Sequence, residues 1–126
     1  MASGGYDHPA FLARIFPGVT TTAGASGTSG QISFPCAVRL RNVAATVRTA
    51  GTSATTGNKV DIFVGTASVG TIALGTGTAG TNGTSGDLNT LVPVGTTVAM
   101  KNGTDATGVA HVVMEVHIDP TTGTWA

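Results

Sequence analysis

The feature that most constrains this chain is an alternation of apolar and polar residues with a period of two, repeated in run after run. Val43, Ala45 and Val47 alternate with Ala44, Thr46 and Arg48, and Val60, Ile62 and Val64 alternate with Asp61 and Phe63. The last run is the clearest, with Ala110, Val112, Met114, Val116 and Ile118 on one face and His111, Glu115, His117 and Asp119 on the other. Successive side chains of a strand point to opposite faces, so each run offers one face to a core and one to water or a partner. β-branched residues crowd these runs, as a pleated, half-buried surface favours.

Ile32, Phe34, Cys36, Val38 and Leu40 keep one parity and Val43, Ala45 and Val47 the other. The phase therefore flips at Arg41-Asn42, which requires a bulge or a turn. Gly65-Thr66-Ala67-Ser68 reads as a turn between two strands, and Lys101-Asn102-Gly103-Thr104-Asp105 as a hairpin signal. Gly75 to Asp87 reads as a long Gly/Thr loop. Leu88, Val92, Val94, Val98 and Met100 restore an inward parity. Short strands separated by turn signals, without a long amphipathic helix or a βαβ alternation, predict an all-β fold: an antiparallel β-sandwich of jelly-roll type.

Residues 1–30 read differently, as an extended N-terminal arm preceding a sandwich domain over 31–126. Phe11, Leu12, Ile15 and Phe16 share one face of a short predicted helix, with Asp7 as its N-cap and Pro17 as its stop. So short a helix does not hold itself together in water. Its apolar face needs something to dock on, whether the body of the sandwich, a neighbouring subunit or a different protein, and Tyr6, Phe11, Leu12, Arg14, Ile15 and Phe16 are the candidate contacts.

Charge and motif content exclude several functions. Charged residues make up 10% of the 126 residues and the net charge is +0, where about 25% charged is usual in soluble domains. A neutral surface does not displace counterions from phosphates, so no nucleic-acid partner is expected. It also leaves copies of the chain free to associate without mutual repulsion. No uninterrupted apolar run approaches the roughly 20 residues that span a bilayer, and the first residues lack the pattern of a signal peptide. Neither membrane insertion nor secretion is expected.

Gly75-Thr76-Gly77-Thr78-Ala79-Gly80 matches a dinucleotide fingerprint, but the Gly-rich residues after it cannot open the helix that would meet the pyrophosphate. Asn82-Gly83-Thr84 and Asn102-Gly103-Thr104 read as Asn-Gly turns. Cys36, the one cysteine, reads as a buried inert thiol. His111, Glu115 and His117 form the one metal-like cluster; two ligands about 6.8 Å apart on a flat strand face do not make a tetrahedral site unaided. They read instead as a solvated or subunit-facing strand face, with Phe63 a further candidate for a subunit contact. No nucleophile elbow or carboxylate pair stands out, so neither catalysis nor a cofactor is expected.

Thr21-Thr22-Ala23-Gly24-Ala25-Ser26-Gly27, Thr49-Ala50-Gly51-Thr52, and Val60-Asp61-Ile62 followed by Gly65-Thr66-Ala67-Ser68-Val69 resemble small virion proteins of tailed phages. The resemblance is to capsid decoration (cement) proteins and extends from about Thr20 to Asp119. It implies a structural virion protein, assembled in the host cytoplasm on the exterior of the phage head. There a homotrimer clamps neighbouring copies of the major capsid protein. The alternative reading is a fibre or tail sandwich module that binds host surface glycans. Tyr6 and Trp125 lie near the termini and the other loops carry no aromatic residue, which favours the first reading.

Overall fold

A computed structural model of the protein describes residues 14–21, 28–50, 58–75, 78–102 and 108–119. Among them are nine strands and no helix: β1 (Arg14–Ile15), β2 (Gly18–Thr20), β3 (Thr28–Ile32), β4 (Val38–Thr49), β5 (Asn58–Val64), β6 (Ala67–Gly75), β7 (Asn82–Val92), β8 (Val98–Asn102) and β9 (Val109–Ile118). The first sheet runs β1-β9-β4-β7, with β2 also on the free side of β9, and the second runs β3-β8-β5-β6. Every pairing is antiparallel.

The chain is one long hairpin folded at Gly65-Thr66 and then rolled up. Val64 faces Ala67, Val60 faces Ile72, Leu40 faces Thr90, Ser29 faces Met100, Val19 faces Val112 and Ile15 faces Val116. These partners stand at nearly equal distances on either side of the turn. Gly65 takes a φ of 63° there, at the first central position of a two-residue hairpin turn, where a missing Cβ is favoured. Rolling lays β9 against β4 and β8 against β5. That arrangement is a jelly roll.

The inward faces meet in a core of Val38, Leu40, Val43, Ala45, Val47, Val92, Val112, Met114 and Val116 from the first sheet, and Val60, Ile62, Ile72, Leu74, Val98 and Met100 from the second. The alternation in the sequence places each of them inward. Burying a side chain of this size stabilises by about 1.5–3 kcal/mol, and the core needs no disulfide. Cys36 is half-buried against the cluster.

The two ends of the sandwich differ. After β3, β5 and β7 the connections are short and tied together: Gly95 N donates to Phe34 O at 3.1 Å and Gly65 N to Thr97 O at 2.8 Å. The chain enters β1 and leaves β9 at this same end, where Asp119 N donates to Ala37 O at 3.0 Å. Strands β2, β4, β6 and β8 finish at the other end.

Several expectations are corrected. Arg14 and Ile15 are strand, not helix, because the edge of β9 supplies ladder partners that a helix of so few residues could not match. Residues 14–15, 18–20 and 28–30, expected in an arm, are strands of the two sheets, so the sandwich reaches back beyond Gln31. Residues 1–13, with Tyr6, Phe11 and Leu12, lie outside the described residues. The expected loop Gly75 to Asp87 gives way to β7 from Asn82 onward, and Asn82-Gly83 is paired strand opposite Ala45 and Thr46. Val94 is exposed in the β7–β8 turn instead of facing inward. β8 and β9 belong to different sheets, so no hairpin joins them.

The bulge expected at Arg41-Asn42 is present. Met114 faces Val43 and Val116 faces Leu40, which leaves Arg41 and Asn42 opposite Glu115 alone. β7 answers with shifts of its own, at Gly86 and at Asn89, whose φ values are 74° and 47°.

Candidate functional site

Four rows of outward side chains cross the first sheet. Arg14, His117, Arg39 and Leu91 stand side by side in the first. Glu115, the bulged pair Arg41-Asn42 and Asp87 make the second. Gly18, Val113, Ala44 and Thr84 make the third. Thr20, His111, Thr46 and Asn82 make the fourth.

The first two rows form an ion network. Arg41 grips Asp87 with two bonds, Nε to Oδ1 at 2.8 Å and Nη2 to Oδ2 at 2.6 Å. This bidentate contact lowers the Asp87 pKa and raises that of Arg41. Glu115 is the hub. Its Oε1 accepts from Asn42 Nδ2 at 2.8 Å, its Oε2 lies 2.8 Å from His117 Nε2, and Arg14 Nη1 lies 3.6 Å away. The bonds from Asn42 and His117 hold its carboxyl below the usual range. The bulge makes this possible, because the extra residue turns Asn42 toward Glu115.

Asp119, read as outward, is 5% exposed. It accepts from Arg39 Nε at 3.1 Å, while Arg39 Nη1 reaches Asn89 O at 3.3 Å. The strand ends at Ile118, which releases Asp119 from the alternation.

The third row is small and uncharged, and it floors a trough of about 300 Å³ lined by Phe16, Asn42, Val43, Ala44, Thr84, Val113 and Glu115. Phe16 stands at its β9 side and is 60% exposed, and Val113 is 38% exposed. The position of Phe16 is set by its neighbours. Arg14 and Ile15 are laddered to β9, Pro17 O accepts from Met114 N at 3.0 Å, and a following proline keeps Phe16 extended. In the fourth row Thr20 Oγ1 lies 3.0 Å from His111 Nδ1 and Thr46 Oγ1 donates to Asn82 Oδ1 at 2.7 Å. Thr21, 2% exposed, bonds Ala110 through both its backbone N–H and its hydroxyl, at 2.9 and 2.8 Å, and seals the end of the β2–β9 ladder.

Of the residues singled out in the sequence, the fold brings Arg14, Phe16, Glu115 and His117 together. Ile15 lies beside them on β1. His111 stands two rows from Glu115, across the third row, so the three-membered metal cluster does not assemble. Among the described residues no three His, Cys, Asp or Glu side chains are grouped to hold a metal ion. Phe63 is on the other sheet, half-buried, with Lys101 Nζ 4.4 Å from its ring centroid. Tyr6, Phe11 and Leu12 lie outside the described residues. Sequence reasoning missed Asn42, Ala44, Thr84, Asp87 and Val113; the phase flip at Arg41-Asn42 was the one signal that pointed at this face.

No family model and no curated protein matches the chain. Solved structures resemble it at low identity. The Drosophila NLP core aligns with 11% identity and a TM-score of 0.48 over 80% of this chain and 96% of its own. The carbohydrate-binding module CBM36, solved with calcium and xylotriose, aligns with 20% identity and a TM-score of 0.46 over 79% and 78%. The SPBc2 prophage-derived protein YomS aligns with 12% identity and a TM-score of 0.44 over 82% and 94%. The outward face is therefore read from this chain's own residues.

Proposed function

We propose that the chain is a non-enzymatic structural virion protein on the exterior of a phage head, where a homotrimer clamps neighbouring major capsid proteins. The reading rests on the resemblance to phage decoration proteins. The structural observation that supports it best is the outward face of the first sheet: an apolar trough between rows of side chains that already satisfy one another. Such a face can be covered without stranding polar groups, whose unpaired burial would cost about 1–3 kcal/mol each. The net charge of +0 suits a part packed in many copies and offers nothing to nucleic acid. The two histidines on this face are engaged, His111 with Thr20 and His117 with Glu115. In this reading Phe11 and Leu12 add the contact to the capsid protein, and the sandwich is the rigid cap.

Mixing purified protein with undecorated heads and pelleting them tests the proposal. The chain is expected in the pellet at a fixed ratio to the major capsid protein, and less of it after Phe11→Ser with Leu12→Ser in the full chain. A wild-type chain that stays in the supernatant refutes the assignment.

A further inference from the structure

We propose that the trough across the first sheet is the seat for Phe16 of a second copy of this chain. The inference deepens the assembly part of the reading above, by naming the contact through which copies associate. Three observations favour a second copy over an unrelated partner.

The first is that the protruding group and the recess belong to one face of one molecule. Among the described residues Phe16 is the most exposed of the large apolar side chains, and it stands at the wall of a trough floored by Val113, Ala44 and Thr84. An unrelated partner would have to bring both a recess for Phe16 and a group for the trough. An identical copy brings both: Phe16 of one copy fills the trough of the next, and a head-to-tail contact of this kind closes into a ring.

The second is electrostatic. The rows beside the trough pair their charges within the chain, Arg41 with Asp87 and Arg14 with Glu115, and His117 bonds the same Glu115 carboxylate. A second copy meets a face of balanced sign and adds no unpaired ion to a covered surface, and with a net charge of +0 the two molecules do not repel. A strongly acidic or basic partner would find no matching field.

The third is preorganisation. The β1–β9 ladder, Pro17 and the Met114 N to Pro17 O bond hold the backbone on both sides of Phe16. The ring is presented before association, which removes much of the ordering cost that weakens flexible contacts.

The experiment is analytical ultracentrifugation of the full chain without heads, from low to high micromolar concentration. Beside wild type it uses Phe16→Ser, which removes the projecting ring, and Thr84→Arg, which fills the recess from an exposed strand position. Circular dichroism checks that both remain β-folded. Wild type is expected at a whole-number multiple of the single-chain mass, and each variant is expected to dissociate at least about tenfold more readily per lost contact. Association that survives either substitution in a folded variant overturns the inference. So does a wild type that stays monomeric at high micromolar concentration. Because no heads are present, these outcomes leave the capsid assignment to be judged by co-sedimentation alone.

Discussion

Gly83 is a strand residue whose replacement by alanine should destabilise the protein, against the ordinary preference. Elsewhere in a strand, alanine would gain about 0.4–1 kcal/mol by restricting the unfolded chain. Gly83 faces inward opposite Ala45, where the two sheets converge. A Cβ there would sit 2.8 Å from Ala73 O, 2.8 Å from Ile72 Cγ2 and 3.2 Å from Leu74 Cδ2. The oxygen is backbone of β6 and cannot turn aside, so the sheets must move apart by a good part of an ångström. Overpacking of this kind costs about 1–3 kcal/mol, which leaves a net loss of up to about 2.5 kcal/mol, or a melting temperature lower by up to about 10 °C.

Two other glycines calibrate the effect. At Gly70 the Cβ would meet Leu88 Cδ2 at 2.9 Å, the far end of a half-buried side chain that can rotate, so Gly70→Ala should be close to neutral. At Gly18 the nearest atoms are His111 Nε2 and Val112 O at 3.5 Å, an ordinary contact, so Gly18→Ala should be neutral or slightly stabilising. Urea unfolding followed by circular dichroism measures all three. A Gly83→Ala protein as stable as wild type, or less affected than Gly70→Ala, would refute the close approach of the sheets at this edge.

Two further predictions concern the network. Glu115 has a depressed pKa, so its contribution to stability is complete above the ordinary glutamate value of about 4.3 and is lost as pH falls through the lower, folded value. Thermal melts should therefore show Glu115→Gln less stable than wild type at neutral pH, the gap closing in acid below about pH 4; a gap that persists undiminished there contradicts the hub role. Asp119→Ala removes the buried acceptor of Arg39 Nε, and because Arg39 keeps access to solvent the cost should be about 1–2 kcal/mol, read as a shift in the urea midpoint; an unchanged midpoint would mean that the pair adds nothing to stability.

Much of this fold was legible in the residues themselves. Period-two alternation assigned Val112, Met114 and Val116 to the core and His111, Glu115 and His117 to the surface. The parity flip located the bulge at Arg41-Asn42, and Gly65-Thr66 announced the central hairpin. These signals are local: a side chain's direction along a strand and a backbone's need for a residue without Cβ are settled within a few residues. Which strand lies beside which is a different kind of fact. Alternation says that β9 has an inner and an outer face, but nothing in it says that the outer neighbours are β4 on one side and β1 and β2 on the other. That choice is made by rolling the hairpin. It turned a segment read as an arm into edge strands, carried Asn42 to Glu115, drew Asp119 under Arg39, and set Phe16 beside a trough floored by residues from three strands. The partners lie far apart in sequence, and their bonds exist only once the sheets have closed around the core.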